Sequence, residues 1–256
     1  MHRLQSELAR LYLPHPSARS GEGSPAAALI DTAGRVRALV LELTRPPSWE
    51  PLSRVWTGVQ SDLDLPAPAI AVSGTDGLQL WFSLVETVTL AQAQAFLEGL
   101  RLRYLADTDA RRVRRLPAAG DAGVQHARPV PAEQEGSGNW SAFVAPDLAP
   151  VFGDTPWLDI PPGEEGQANL LRGIAVMTPA AFAAAMEQLQ ATTPPSPAPV
   201  ATAVTPPAPH EHPVASPTGD TPQQFLLRVM QDETVALPLR IEAAKALLQH
   251  EAAQRG

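Results

Sequence analysis

The chain has 256 residues, of which 44% are hydrophobic, and its formal net charge is −8. The length exceeds the roughly 100–200 residues of a usual domain, and the acidic balance excludes a protein that coats duplex DNA through its overall charge. The absence of cysteine excludes disulfides, thiolate metal sites and a cysteine nucleophile. No run of about 18 apolar residues is present, so we expect a cytoplasmic protein without a membrane partner.

The first hundred residues predict short strands that alternate with helices. Leucines at helical spacing predict a helix over residues 3–13, which Pro14 ends. The turn Gly74-Thr75-Asp76-Gly77 predicts a hairpin, because its glycines can adopt positive φ. The order ββαββα predicts an α+β fold with a mixed or antiparallel sheet and helices on one face. The other elements predicted here are strands at 27–31, 35–44, 69–73 and 78–85 and helices at 49–60 and 90–105.

Composition divides the whole chain into segments. A loop over 117–138, an edge strand at 140–144 and a helix at 179–189 capped by Thr178 follow the first hundred residues. A hairpin of about 35 residues is too small to be very stable alone, so we expect the last segment to bind a protein partner. The predicted segments are an N-terminal helix and loop (1–25), a core (26–128), an acidic accessory segment packed on it (129–191), a disordered linker of Pro, Ala, Thr and Ser (192–219) and a helical hairpin (220–254).

One short stretch is basic within this acidic protein. Residues 101–128 carry seven Arg against three Asp, a net charge of +4, whereas residues 129–191 carry a net −7. Four of these arginines are adjacent or nearly so, at Arg111, Arg112, Arg114 and Arg115. Guanidinium groups suit bidentate contacts with phosphate. The run therefore predicts either a local anion site or a solvated face.

Three further patterns have both a chemical and a structural interpretation. The amides of the Gly74–Gly77 turn could cradle a phosphate, or the turn could simply join two strands. Asp62 and Asp64 could ligate a hard metal, but the prolines that follow favour a loop of capping carboxylates. The His210–His212 segment lies in the predicted linker, where nothing would fix a metal geometry.

Three motifs follow one another between residues 35 and 117. The first is the strand Ala38–Thr44, and the second is the turn-and-strand Ser73-Gly74-Thr75-Asp76-Gly77-Leu78-Gln79. The third is Asp107 or Asp109 followed by Arg112-Val113-Arg114-Arg115-Leu116-Pro117. In order and spacing the segment resembles the archaeo-eukaryotic primase superfamily, the primase–polymerase domains of DNA replication and end joining.

The resemblance implies a site with altered chemistry. The two metal-binding aspartates of the family correspond to Glu42 and Thr44, and its phosphate-contacting histidine corresponds to Gln79. It implies that Glu42, Thr44, Gln79 and Asp107 converge on one cleft, with Glu42 and Asp107 as vestigial or divergent catalytic carboxylates. Phosphoryl transfer there needs metals held by carboxylates, and a threonine hydroxyl is a poor substitute. The implied phosphate or nucleic-acid contacts are Ser73, Gly74, Gly77, Gln79, Arg111, Arg112, Arg114 and Arg115.

The sequence therefore leads us to expect a catalytically inactive primase–polymerase-like protein without a cofactor. It would bind nucleic acid or nucleotide phosphate in the DNA metabolism of a phage, plasmid or other mobile element. The predicted C-terminal hairpin resembles a segment of small-terminase-like phage proteins. One alternative is an active, divergent nucleotidyltransferase that uses Mg²⁺ or Mn²⁺ and relocated carboxylates from among Asp62, Asp64, Asp76 and Asp107. The other is a non-enzymatic adaptor protein.

Overall fold

The structure is a computed structural model that describes residues 3–14, 29–31, 33–120 and 123–192. The predicted linker and helical hairpin beyond residue 192 lie outside the described residues, as does most of the loop predicted before residue 25. None of the described helices is long and apolar enough to cross a membrane.

A five-stranded sheet forms the centre of the fold, in the order β4-β1-β3-β2-β7, and each neighbouring pair is antiparallel. The strands are β1 (Arg35–Thr44), β2 (Ala69–Val72), β3 (Gly77–Thr89), β4 (Val113–Leu116) and β7 (Ala142–Val144), and β5 (Ala118–Gly120) and β6 (Gly123–Gln125) form a separate small hairpin. The helices are α1 (Arg3–Leu11), α2 (Trp49–Ser61), α3 (Leu90–Tyr104), α4 (Glu164–Arg172) and α5 (Pro179–Thr192). The α+β class and an antiparallel sheet are therefore confirmed.

Helices cover both faces of this sheet, so the prediction of helices on one face is wrong. One core joins β1 and β3 to α2, α3 and α5, with Leu41 and Leu80 among its members. A second core on the opposite face joins Val40 and Trp81 to α1 and α4. Along β1 every residue after Arg35 is buried. The strand is therefore buried on both sides, as expected when both faces of a sheet are covered, although it includes Arg37 and Glu42.

Most predicted elements are present within a residue or two, but β3 extends four residues beyond the predicted strand, to Thr89. The strand predicted at 27–31 is reduced, in its described part, to a single bridge between Ile30 and Val36. The predicted edge strand appears as β7, and the Thr178 hydroxyl accepts a hydrogen bond from the Ala181 amide at 3.2 Å, as expected of a cap. The loop predicted over 117–138 contains the β5–β6 hairpin.

Helix α4 was not predicted, although it is hydrogen-bonded to β7 at the edge of the sheet. The buried side-chain amide of Gln167 pairs with the Phe143 backbone of β7, accepting from its N–H at 2.7 Å and donating to its carbonyl at 2.9 Å. The helix has nine residues and begins after Gly163, which has no side chain to act as a cap. Its sequence therefore offers only Glu164 and Glu165 in the first turn as a signal of a helix start.

Candidate functional site

An open cleft of about 1050 Å³ lies where β1, β3 and β4 run side by side. Its floor consists of Arg114, Glu42 and Gln79, which are paired in register across the three strands. We call these three residues the cleft floor. The walls come from separate loops and include Arg45, Asp76, Arg128, Gln134, Asn139 and Trp157.

A chain of hydrogen bonds fixes the cleft floor. The Trp81 indole N–H donates to Gln79 Oε1 at 2.8 Å, and Gln79 Nε2 donates to Glu42 Oε1 at 3.3 Å. Because an indole nitrogen can only donate, Gln79 must turn its oxygen toward Trp81 and its amino group toward Glu42. The second oxygen of Glu42 lies 3.4 Å from Arg114 Nη1. The carboxylate is therefore held from both sides by donors.

Glu42 is a buried acid at the bottom of a polar cleft, with 2% of its surface exposed. Burial raises its pKa above the ordinary value, because the charged form loses solvation. The charge of Arg114 and the hydrogen bond from Gln79 lower the pKa, whereas the nearby charge of Asp76 raises it, and the net direction is upward. Glu42 therefore takes up a proton more readily than a surface glutamate.

Gly77 provides the room that Glu42 needs. A β-carbon on Gly77 would lie 2.5 Å from Glu42 Oε1 and 2.8 Å from Glu42 Cγ. These distances are well below van der Waals contact, so any larger residue would displace the buried carboxylate. Gly77 therefore gives the buried carboxylate of the cleft floor its space.

The turn between β2 and β3 is packed and internally bonded. The Ser73 hydroxyl accepts from the amides of Thr75 at 3.1 Å and Gly77 at 2.9 Å, while the Gly74 amide donates to the Pro156 carbonyl at 3.0 Å. These three N–H groups are already used within the protein. Ser73 and Gly74 line the cleft, but three of the turn amides that could have cradled a phosphate already donate within the protein.

The run of arginines predicted as one patch is divided by the alternation of β4. Arg114 extends from β4 to the cleft, with 57% of its side chain exposed. Its neighbour Arg115 forms an ion pair with Glu98 of α3. Successive side chains of a strand point to opposite faces, so adjacent arginines cannot share a surface here.

Arg111 and Arg112 precede β4 and do not line the cleft. Arg112 donates from Nη2 to the Pro46 carbonyl at 2.7 Å and from Nε to the Thr44 carbonyl at 3.2 Å, which anchors the loop after β1. Arg111 is exposed on the 3₁₀ turn Ala110–Arg112. Of the four predicted arginines, the structure brings Arg114 alone into the cleft.

The structure also separates the residues that the resemblance assigns to catalysis. Glu42 and Gln79 line the cleft together, but Thr44 and Asp107 do not. The buried Thr44 hydroxyl donates to the Arg112 carbonyl at 3.3 Å. Asp107 is exposed and accepts two hydrogen bonds from Arg54 of α2, at 2.9 and 3.0 Å, which lower its pKa. Its carboxylate is therefore committed to a surface pair.

The Asp-x-Asp pair after α2 also has structural partners. Asp62 accepts hydrogen bonds from Ser61 at 2.7 Å and from the Tyr104 hydroxyl at 3.1 Å, and both lower its pKa. Asp64 adopts a positive φ of 51°, which aspartate tolerates better than most residues. These contacts are those expected of loop carboxylates. Within the described ranges, no cluster of three or more His, Asp or Glu side chains could hold a metal ion.

Several residues that define the cleft were not predicted from the sequence. Arg45 lines its mouth with φ of +46° and forms an ion pair with Asp76, Nε to Oδ2, at 2.8 Å. Arg128 donates to Gln134 Oε1 at 3.0 Å, and the indole of Trp157 is half-buried in the wall. These side chains come from loops distant in sequence, so no local motif could have identified them.

His126 forms part of the wall as a neutral ring. Its Nε2 donates to the Ala38 carbonyl at 3.0 Å, and its Nδ1 accepts from the Ala127 amide at 2.7 Å. Burial lowers its pKa to about 4. The cationic side chains in the cleft at neutral pH are therefore arginines.

Together these residues form a polar recess with an indole surface, in which three arginines face the carboxylates of Glu42, Asp76 and Glu135. Guanidinium groups bind phosphate or carboxylate, and an indole can stack on a planar ring. Such a recess suits a ligand that combines an anionic group with a flat aromatic one. No protein-family model matches the chain, and a search of curated proteins found no significant match.

Proposed function

We propose that the protein binds a nucleotide or single-stranded nucleic acid in this cleft and does not transfer nucleotides. The observation that carries the proposal is the convergence of Arg45, Arg114 and Arg128 on one recess, in a chain whose net charge is −8. Arginines brought together from three segments of an acidic protein favour a specific anion over general attraction to polyanions. The half-buried Trp157 offers a stacking surface for a base.

A divergent relationship to the primase–polymerase domains, and with it a role in mobile-element DNA metabolism, is part of the proposal. The positions that correspond to a metal-binding aspartate and to the phosphate-contacting histidine, Glu42 and Gln79, are hydrogen-bonded neighbours on adjacent strands. Their sequence separation is 37 residues, so the fold and not local sequence places them side by side. This juxtaposition supports the resemblance at two of its four positions, whereas Thr44 and Asp107 lie outside the cleft.

The chemistry of the cleft floor favours binding over nucleotidyl transfer. Two-metal catalysis needs several carboxylates that face the same ions. Here Glu42 is held by Arg114 and Gln79, and Thr44 contributes only a neutral hydroxyl that is already bonded. A cation would have to displace the Arg114 guanidinium before it could reach the carboxylate.

One observation supports a second candidate, a divergent metal-dependent nucleotidyltransferase. Asp76 lines the same cleft, and its charge is close enough to raise the pKa of Glu42. Two carboxylates facing one recess could share a divalent cation if Arg45 and Arg114 moved onto a triphosphate. Incubation of the protein with a primed template, Mg²⁺ or Mn²⁺ and labelled nucleotides decides between the two. Incorporation that is lost in Glu42→Gln would replace the binding proposal by this one.

Fluorescence anisotropy with a short labelled oligonucleotide and with a labelled nucleoside triphosphate tests the binding proposal. We expect Arg114→Ala to weaken binding at low salt about tenfold. The slope of log affinity against log salt concentration should also fall by about one, which corresponds to one lost phosphate contact. Arg111→Ala is the matched control, because Arg111 belongs to the same run but lies outside the cleft. Absence of binding at low salt, or equal losses in both variants, would refute binding in the cleft.

A further inference from the structure

A second groove, of about 630 Å³, lies between the loop that leads into α2 and the 3₁₀ turn Ala149–Phe152. Pro46, Pro47 and Trp49 line one side, and Pro150 and Gly153 line the other. We call it the proline–tryptophan groove. It shares no lining residue with the cleft described above, so any ligand it takes is separate from the proposed function.

Apolar side chains are exposed next to this groove. Val151 and Leu148, on and beside the 3₁₀ turn, have 71% and 51% of their surface exposed. The Trp49 indole is half-buried and lies 6.5 Å from the ring of Trp56. A groove with an indole and proline rings in its walls and exposed aliphatic groups at its rim is typical of a protein-docking surface.

The charged side chains that line the proline–tryptophan groove are acidic, although the Arg112 guanidinium donates to the carbonyl of Pro46. Glu50 and Asp154 line it, both exposed, and none of the described residues in its lining is basic. Asp147, close to the same turn, is also exposed. Charge complementarity therefore favours an occupant that carries Arg or Lys.

The start of α2 adds hydrogen-bond donors to the groove. Within the described part of the chain, the Ser48 side chain at this helix N-terminus makes no capping hydrogen bond. It therefore leaves the amide of Glu50, the second residue of the helix, without the partner that a cap normally provides, and the amide of Trp49 before it has no intrahelical partner. An anion would be repelled by the neighbouring carboxylates, whereas a neutral backbone carbonyl could accept from these amides.

We propose that the proline–tryptophan groove binds an extended, proline-rich segment of a partner protein that carries Arg or Lys. A polyproline II segment has no internal hydrogen bonds, so its carbonyls are free to accept from the N-terminus of α2. Its proline rings pack on Trp49, as such segments do in aromatic-lined grooves. Its basic side chains pair with Glu50 and Asp154.

The chain itself is rich in proline over residues 193–219, but this segment contains no Arg or Lys. Charge complementarity therefore assigns the groove to another protein rather than to this segment. A peptide with the sequence of residues 193–208 serves as the direct test of that distinction.

The experiment titrates the full-length protein against three fluorescent peptides. The first is a proline-rich peptide with two Arg, the second has Glu in place of each Arg, and the third has the sequence 193–208. We expect the Arg peptide to bind at micromolar to sub-millimolar concentration and the other two at least tenfold more weakly. Trp49→Ala and Asp154→Lys should each weaken the Arg peptide at least fivefold, and Glu86→Lys, an exposed charge reversal outside the groove, should not.

Each contrary result has a definite meaning. Equal binding of the Arg and Glu peptides would show that Glu50 and Asp154 do not select a basic segment. Stronger binding of the 193–208 peptide would show that the groove binds the proline-rich segment of this chain. No binding of the Arg peptide up to about 1 mM would overturn the proposal. Because Trp49 contacts Trp56, Trp49→Ala could unfold α2. Asp154→Lys changes an exposed loop residue, so it tests the proposal without disturbing the helix.

Discussion

Replacing Gly74 with alanine should destabilise the protein more than the same change at Gly34. Both glycines adopt positive φ, +80° and +73°, so alanine costs a similar conformational penalty of about 1–2 kcal/mol at each. The entropy that alanine removes from the unfolded chain is also common to both and cancels in the comparison. What differs is the space around the added β-carbon.

At Gly74 the β-carbon would lie 2.6 Å from Gln134 Cγ and 2.8 Å from the Ser141 backbone nitrogen, whereas at Gly34 nothing lies within 4 Å. The Ser141 amide cannot retreat easily, because it donates to the Ala132 carbonyl at 2.9 Å. Overpacking of this kind costs about 1–3 kcal/mol. We therefore expect a loss of about 2–5 kcal/mol for Gly74→Ala against about 1–2 kcal/mol for Gly34→Ala.

Urea unfolding, followed by circular dichroism, measures both variants beside the parent protein. Midpoints are compared at a common m-value, and an altered m-value would show that the unfolded state had changed instead. Equal losses of unfolding free energy in the two variants would contradict the close packing around Gly74. The turn interior would then be open, and its amides would again be candidates for a phosphate cradle.

Two further predictions concern the acids that the resemblance singles out. Glu42 has a raised pKa in the folded protein, so the folded state holds a proton that the unfolded chain has released between the two pKa values. The parent's free energy of unfolding relative to Glu42→Gln should therefore fall as pH rises through that window, and parallel pH curves from urea titrations would contradict this. Asp107 lies outside the cleft and forms an exposed ion pair with Arg54. Arg54→Ala should therefore leave the urea midpoint and the nucleotide affinity nearly unchanged. A loss of nucleotide affinity as large as that of Arg114→Ala would place Asp107 in the site.

The elements of the fold could be predicted because their signals are local. Leucine spacing in α1, the glycine turn before β3 and the Thr178 cap of α5 are all properties of a few neighbouring residues. The covering of both sheet faces could not be predicted in this way. It depends on α1 and α4 packing over β3, and these helices come from opposite ends of the described chain.

The candidate site was predictable only where strand register alone determines it. Glu42 and Gln79 meet because β1 and β3 are antiparallel neighbours, and the resemblance placed both residues in one cleft although no hairpin between these two strands was predicted. The wall residues Arg45, Arg128 and Trp157 come from loops, whose course depends on tertiary contacts. A motif comparison locates the floor of such a site, but it has no information about the walls.

The arginine run shows why a charge pattern must be interpreted together with secondary structure. In a helix, residues three or four apart share a face, whereas in a strand adjacent residues are always separated. Arg114 and Arg115 are adjacent in sequence, yet one lines the cleft and the other pairs with α3. The net charge of +4 over residues 101–128 therefore does not form one surface. Of the arginines in this stretch, only Arg114 and Arg128 line the cleft, and the fold adds Arg45 from the loop after β1.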